Sequence, residues 1–328
     1  MAGTGAELVF FNHALNQDIP DVAKNIDAAV IFFESSVNKE VLDRLPRLKF
    51  IATCSTGYDH IDIGECAKQK ISVSYVPSYG ENTVAEFAFA LILTLSRKIF
   101  ESCHILKEHT EHKPEDLTGF DLKGKTLGVI GTGRIGKHVI KIARGFDMNI
   151  LANDAFPDEN LAKEHNFKYC DLEELLATSD VLTFHVPYMP STRHLINDGN
   201  IFKIKKGALL INTSRGGIVE TDALLRALTS GHLGGAGLDV LEEEGAVYDE
   251  LNFLSSKKQI QNDYKTIFED RVLIDLPNVI ATPHNAYNTK EAIARILDTT
   301  VQNIAGFING KLINLVEVKK LNGKDTVA

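Results

Sequence analysis

Val129-Ile130-Gly131-Thr132-Gly133-Arg134-Ile135-Gly136, followed by Asp154 eighteen positions after the last glycine, has the residue types and spacing to hold a phosphorylated ligand. Gly131 permits a tight turn, Gly133 lets the backbone approach a pyrophosphate, and Gly136 lets a helix pack closely on a strand. Residues 126–130 form a short run rich in apolar residues that reads as a buried strand. Residues 135–144 then place Ile135, Val139, Ile140 and Ala143 on one helical side, and residues 149–153 read as a second strand delivering Asp154 at its end. The N-terminus of such a helix presents N–H groups without intrahelical partners and the positive end of a dipole, which attracts phosphate. A carboxylate at Asp154 suits ribose hydroxyls and repels a 2′-phosphate, and the Ala155 and Phe156 that follow offer no cation to receive one. The site so read takes NAD in preference to NADP, through Gly131, Thr132, Gly133, Arg134, Ile135, Gly136 and Asp154.

Three more sets lie just past runs that read as strands. Ile211-Asn212-Thr213-Ser214-Arg215-Gly216-Gly217 puts an arginine where a surface charge has no structural need to be. Its planar guanidinium suits bidentate binding of a carboxylate. Ala236-Gly237-Leu238-Asp239-Val240-Leu241-Glu242-Glu243-Glu244 places Asp239 where it can hold a nicotinamide carboxamide. It also offers three glutamates as partners for a catalytic histidine. Spacing does not choose among Glu242, Glu243 and Glu244, and a charge run is ordinarily solvated. Val279-Ile280-Ala281-Thr282-Pro283-His284-Asn285-Ala286 stiffens the chain with Pro283 beside His284, a position suited to a general acid–base. Phe32, Phe33 and Glu34 end another apolar run, and the two rings either wall a substrate's side chain or fill a core.

These groups need elements to position them. Residues 8–12, 28–33, 48–54 and 72–75 read as strands, with helices at 37–45 and 63–69 between them. Alternating β and α elements imply a parallel sheet covered on both faces. The segment 81–96 is apolar nearly all round, so it reads as a helix buried between domains or subunits. A polar connector, 101–122, follows it. Beyond the glycine motif, strands are expected at 181–186, 208–212, 235–241 and 279–282, and helices at 171–177 and 221–230. This is a doubly wound sheet, whose ligands belong at the carboxyl ends of its strands. Residues 290–308 read as an amphipathic helix with Ile293, Ile296, Leu297, Val301, Ile304 and Phe307 at helical spacing. The role of the long polar segment 245–272 is not legible.

The 328 residues suffice for two domains, and the net charge of −9 argues against nucleic acid as the main ligand. An anionic substrate must be held by local positive groups. Cys54, Cys66, Cys103 and Cys170 are scattered, which reads as reduced thiols with no metal site. His104, His109 and His112 do not share a helical face. The N-terminus lacks the basic and apolar regions of a signal peptide, and the apolar stretch 87–95 is too short to cross a membrane. A cytoplasmic protein with no membrane partner is expected.

Together these residues resemble the D-isomer-specific 2-hydroxyacid dehydrogenase family over nearly the whole chain. The resemblance is carried by the glycine motif, His185-Val186-Pro187, Asn212-Thr213-Ser214-Arg215-Gly216 and Thr282-Pro283-His284. Thr56-Gly57-Tyr58-Asp59-His60-Ile61-Asp62 and Val76-Pro77-Ser78-Tyr79 add matches nearer the N-terminus, and the branch most resembled is that of the D-lactate dehydrogenases. It implies an α/β fold in which a doubly wound parallel-sheet (Rossmann) coenzyme domain, residues 81–287, is inserted into a smaller flavodoxin-like α/β substrate domain. That smaller domain comprises residues 1–80 plus 288–328. The resemblance selects Glu244 among the glutamates and makes Arg215, Glu244 and His284 the catalytic set. It assigns His185, Val186, Pro187, Thr213, Ser214, Asp239 and His284 to NAD, and Thr56, Gly57, Tyr79, Arg215 and His284 to the substrate. It further implies D stereochemistry, a 2-keto acid substrate led by pyruvate, and a homodimer. Competing readings are a relative acting on glyoxylate, hydroxypyruvate or a bulkier acid, and a non-catalytic NAD(H)-sensing protein.

Overall fold

The structure is a computed structural model that describes residues 5–16, 19, 21–109, 113–242, 264–321 and 324–327. The chain divides into two compact units, Met1–Gly80 with Thr289–Ala328, and Glu81–Asn288.

In the first unit, β1 (Ala28–Ile31), α1 (Lys39–Asp43), β2 (Phe50–Thr53), α2 (Ile63–Lys68) and β3 (Ser72–Ser74) alternate. The three strands form a parallel sheet in the order β1-β2-β3. Asn38 and Asp62 start the two helices, each side chain accepting from a backbone N–H three residues on. One core gathers Ile31, Val37, Val41, Leu42, Ile51 and Val73. The helix Lys290–Ile308 packs its Phe307 ring flat on Phe50, with centroids 4.7 Å apart. Of its six expected apolar contacts, Ile296 and Ile304 are buried, whereas Ile293, Leu297 and Val301 form an exposed row. The helix therefore buries a narrower stripe than its composition implies.

Residues 8–12 are not a strand, contrary to their apolar pattern, and Phe10 is 85% exposed. An apolar run becomes a strand only where a sheet edge pairs with it, and no pairing to these residues is formed among the described residues.

The second unit opens with α3 (Glu81–Ser96) and α4 (Ile99–Glu108). There follow β4 (Thr126–Ile130), α5 (Arg134–Gly145), β5 (Asn149–Asn153), α6 (Glu159–His165), β6 (Lys168–Tyr169) and α7 (Leu172–Thr178). The remainder comprises β7 (Val181–Phe184), β8 (Leu209–Asn212), α8 (Thr221–Thr229), β9 (Gly235–Leu238), α9 (Tyr264–Asp275) and β10 (Val279–Ala281). All seven strands run parallel in the order β10-β9-β8-β7-β4-β5-β6, a doubly wound sheet whose direction of winding reverses at β4. β6, α4, α6 and α9 escape the sequence reading, and most of α4 lies in the segment read as a polar connector, because a two-residue strand has no period and these helices sit in segments of mixed polarity.

The apolar helix α3 is buried within its own unit. Ala85, Ala88, Phe89, Ile92 and Leu95 join the core formed with Val129, Val139, Ile140 and Ile211. Phe89 stacks on Phe146 at 5.5 Å, and Leu91 and Leu95 approach the backbone of Gly237. Each fully buried aliphatic side chain of this kind contributes about 1.5–3 kcal/mol. No helix among the described residues is long and apolar enough to cross a membrane. The four cysteines are free thiols, and burial pushes the Cys66 thiol up to about 12.

Candidate active site

The strand register in the second unit aligns the chemistry. Asn153, Ile130, Phe184, Asn212, Leu238 and Ala281 are Cα partners in one row across β5, β4, β7, β8, β9 and β10. The residues immediately after them are Asp154, Gly131, His185, Thr213, Asp239 and Thr282. At about 4.8 Å per strand the row extends for about 24 Å along the carboxyl edge of the sheet. Arg215 follows Thr213 by two positions, and His284 follows Thr282 by two. Every candidate residue described in this unit lies on or just past that edge.

The three motif glycines have different physical reasons. Gly131 has φ +94°, and a Cβ on it would lie 2.6 Å from the carbonyl oxygen of His185. A Cβ on Gly136 would lie 2.1 Å from the carbonyl oxygen of Gly131, so only glycine lets α5 sit this close to β4. Gly133 is in open space, with nothing within 4 Å of an added Cβ. The helices α1, α2, α6, α7 and Lys290–Ile308 all begin on an Asn, Asp or Thr side chain that accepts a backbone N–H. α5 begins on Gly133 with no side-chain cap, leaving its first N–H groups to an anion.

Asp154 faces this turn. Its Oδ2 accepts from the Thr132 backbone N–H at 2.6 Å and from Thr132 Oγ1 at 3.0 Å, and its Oδ1 accepts from the Phe156 N–H at 2.8 Å. The Tyr169 hydroxyl, 2.8 Å from Thr132 Oγ1, extends the network. Sequence reasoning missed Tyr169, which lies on the unread strand β6. Arg134 is exposed beside Glu81 at 3.8 Å, and Ile135 packs into the unit's core.

His185 is half-buried, its ring nitrogen 2.9 Å from Thr183 Oγ1, and desolvation pushes its pKa down to about 3, so the imidazole is neutral. Val186 and Pro187 continue this edge, the Val186 carbonyl accepting from Ser214 Oγ at 2.5 Å. Thr213 Oγ1 is buried and has no hydrogen-bond partner. A buried hydroxyl without a partner is costly, and a ligand polar atom at this edge relieves it. The open Gly133, the uncapped helix and the orphaned hydroxyl fit a dinucleotide laid along the row.

Asp239 is fully buried. Its Oδ1 accepts from Thr282 Oγ1 at 2.6 Å and the Asn285 N–H at 2.8 Å, and its Oδ2 accepts from the Ala286 N–H at 2.8 Å. Its carbonyl oxygen accepts from the His284 N–H at 2.9 Å. Burial raises its pKa, opposed by these donors and by the nearby His284. Beyond the carboxamide role expected for it, Asp239 is thus the post around which the loop bearing His284 is wound. His284 itself has φ +49°, a left-handed conformation costing about 1–2 kcal/mol for a side-chain-bearing residue. Arg215 is half-buried, with its Nη1 donating to the Ser214 carbonyl at 2.8 Å while Asn212 Nδ2 holds its own carbonyl at 2.8 Å.

Glu244 and Glu243 lie outside the described residues. Glu242 is described, and it is bonded rather than solvated. In the first unit, Thr56 and Gly57 occupy the turn after β2. Thr56 Oγ1 donates to the Val76 carbonyl at 2.7 Å, and Ser55 Oγ donates to the Gly57 carbonyl at 2.6 Å. Phe32 and Phe33 are both half-buried with ring centroids 4.5 Å apart, and Tyr79 is half-buried. The two phenylalanines are therefore not fully buried core residues.

A stability test separates the glycines. Gly136→Ala should destabilise the protein by about 1–3 kcal/mol through overpacking against immobile backbone. Gly133→Ala should leave the thermal midpoint unchanged and weaken NADH binding about tenfold or more by occupying the phosphate's space. Equal NADH affinity for wild type and Gly133→Ala, measured by fluorescence titration, would place the dinucleotide elsewhere.

The family model described as "D-isomer specific 2-hydroxyacid dehydrogenase, NAD binding domain" matches residues 89–286. A 2-hydroxyacid dehydrogenase homolog of Zymomonas mobilis is 38% identical over 313 residues, covering 94% of this chain and 91% of the relative. A glyoxylate reductase of Korarchaeum cryptofilum is 35% identical, covering 88% of this chain and 82% of its own length. Among solved structures, the D-lactate dehydrogenase of Aquifex aeolicus complexed with NAD and lactic acid superposes with a TM-score of 0.81 at 37% identity. That likeness covers 90% of this chain and 86% of that one. With the glycine turn, the strand-edge row and these matches in hand, the chain belongs to the D-isomer-specific 2-hydroxyacid dehydrogenases and carries that family's NAD-binding domain.

Proposed function

We propose that the protein reduces pyruvate to D-lactate with NADH, and that His284 is its acid–base. The observation that carries the proposal is the His284 loop. A histidine in a strained left-handed conformation, tied by its own N–H to the Asp239 carbonyl, is fixed where strand β10 ends. Such fixing is what a proton donor needs and a surface histidine does not.

Along the carboxyl edge, Asp154 takes the adenosine ribose, Gly131 to Gly136 with the α5 N-terminus take the pyrophosphate, and His185, Val186, Pro187, Thr213, Ser214 and Asp239 line the nicotinamide end. Bound NADH supplies the hydride that reduces C2 of the keto acid. Arg215 pairs its two-pronged guanidinium with the substrate carboxylate and so fixes which face of C2 is presented. Protonated His284 donates its proton to the 2-keto oxygen as charge builds there. Glu244, which lies outside the described residues, is assigned by family resemblance as the partner of the His284 ring. Pyruvate, NADH and one proton thus give D-lactate and NAD. The unit Met1–Gly80 with Thr289–Ala328 is assigned to the substrate, through the amides of Thr56 and Gly57 and the side chain of Tyr79.

Support for pyruvate comes from the Aquifex aeolicus structure and from the aromatic side chains Phe32, Phe33 and Tyr79, which suit a small apolar substituent. The Korarchaeum cryptofilum relative favours glyoxylate as the second substrate. A panel of pyruvate, 2-ketobutyrate, 2-ketoisocaproate, phenylpyruvate, hydroxypyruvate and glyoxylate separates these. The highest kcat/KM is expected with pyruvate, and a peak at glyoxylate or a bulkier acid would move the substrate while leaving the machinery in place.

The protein is further proposed to be a cytoplasmic homodimer. Because α3 is buried in its own unit, support for dimerisation passes to α4, where Ile99, Phe100 and Leu106 are exposed. Sedimentation should read twice the chain mass of 36.1 kDa; a monomer would refute it.

A further inference from the structure

The glutamate run after β9 contains one side chain with a definite task. Glu242 is only 16% exposed at its side chain, and both of its carboxylate oxygens are engaged. Oε1 lies 2.5 Å from Nε2 of His194. Oε2 accepts from Thr221 Oγ1 at 3.0 Å and from the Thr221 backbone N–H at 3.3 Å. Thr221 is the first residue of α8, whose own N-cap residue, Glu220, makes no side-chain cap. Glu242 therefore reaches across to the start of that helix, where a carboxylate is favoured by the unpaired N–H groups and the dipole.

The other partner is tied to the chain around Arg215. His194 has φ +49°, its N–H donates to the Gly217 carbonyl at 2.8 Å, and its carbonyl accepts from Asn197 Nδ2 at 2.8 Å. Two residues on, the Ile196 N–H donates to the Ile218 carbonyl at 3.2 Å and the Ile196 carbonyl accepts from the Glu220 N–H at 2.9 Å. From the opposite side, a Cβ on Gly216 would lie 2.0 Å from the Leu241 carbonyl carbon and 2.4 Å from the Glu242 nitrogen. The backbone next to Arg215 thus runs flush against the Leu241–Glu242 peptide. The turn carrying Arg215 is gripped between the loop after β7 and the loop after β9, and the His194–Glu242 contact joins those two loops directly.

We infer that His194 and Glu242 form a positioning pair that sets the direction of the Arg215 guanidinium, an inference that rests on Arg215 as the carboxylate anchor. A charge-assisted hydrogen bond with little solvent access is strong enough to hold two loops in register. The guanidinium fork tolerates little angular error, because both of its hydrogen bonds must meet one carboxylate plane. The partners of the pair are Thr221, Gly217 and Asn197 rather than residues assigned to substrate or cofactor. The pair acts through the backbone of residues 215–217, so its loss should appear in keto-acid recognition and spare the glycine-turn end of the edge.

The test uses the full-length protein and whichever keto acid of the panel the wild type reduces fastest. His194→Ala and Glu242→Gln should each raise KM for that acid about tenfold, since displacements of under an ångström at an anchoring group weigh heavily on productive binding. The NADH dissociation constant, read by fluorescence titration, should stay within about twofold of wild type. His194→Gln, which restores a donor to Glu242, should recover most of the loss and serves if the alanine variant folds poorly. The double variant should be no worse than Glu242→Gln alone, because the Glu242 change already disturbs the contact that His194→Ala removes. An unchanged KM, additive losses in the double variant, or an equal weakening of NADH binding would each overturn the positioning role. A wild type that reduces none of the acids would instead overturn the Arg215 assignment, and this inference with it.

Discussion

His284→Asn should lower kcat by about two to four orders of magnitude, the usual worth of a positioned general acid. Asparagine is the informative replacement. It tolerates the left-handed backbone of this position better than alanine does, so the loop wound on Asp239 keeps its shape while the imidazole is lost. NADH binding should survive, because the glycine turn, the α5 N-terminus and Asp154 are untouched. His284→Ala should lose as much turnover and also some stability. Turnover near the wild-type level in the asparagine variant would remove His284 from the proton-transfer step, whatever its effect on stability.

Arg215→Ala should raise KM for the keto acid and lower kcat, for a combined loss of about 100-fold to 1000-fold in kcat/KM. Both parameters should suffer, since the guanidinium is proposed to bind the carboxylate and also to orient C2. Arg215→Lys is expected to recover little. A lysine keeps the charge but has no fork, and its ammonium does not reproduce two parallel hydrogen bonds. If kcat alone fell while binding of oxamate to the NADH complex was retained, the carboxylate anchor would lie elsewhere. This pattern also differs from that expected of Glu242→Gln, where the arginine is present but misdirected and KM carries most of the change.

Much of the coenzyme unit was legible because its signals are local. A β-branched run, a glycine turn and an amphipathic helix each follow from a few neighbouring residues, and parallel pairing then follows from the alternation of elements. The register that brings Asp154, Gly131, His185, Thr213, Asp239 and Thr282 to one edge was not legible residue by residue. It was implied by the rule that ligands lie at the carboxyl ends of such strands. What the sequence concealed were tertiary facts. Residues 8–12 have the composition of a strand but no paired edge. The apolar helix α3 fills its own unit's core, because β8, β9 and α5 supply a surface that no local pattern reveals. Glu242 stood in a charge run and its partner His194 lies 48 residues earlier, so neither carried a local mark. Thr282 and Asp239 were visible as motif residues, but their hydrogen bond, which shapes the histidine loop, was not. The choice of Glu244 came from family resemblance, and that residue lies outside the described ones.

In the proposed function this strand edge delivers hydride and proton to a 2-keto acid with D selectivity. The most direct measurement incubates the purified protein with pyruvate and limiting NADH and resolves the product by chiral chromatography. One D-lactate formed per NADH consumed, with little reduction when NADPH replaces NADH, is the predicted result. L-lactate, a racemate, or no NADH oxidation in the presence of tightly bound cofactor would contradict it.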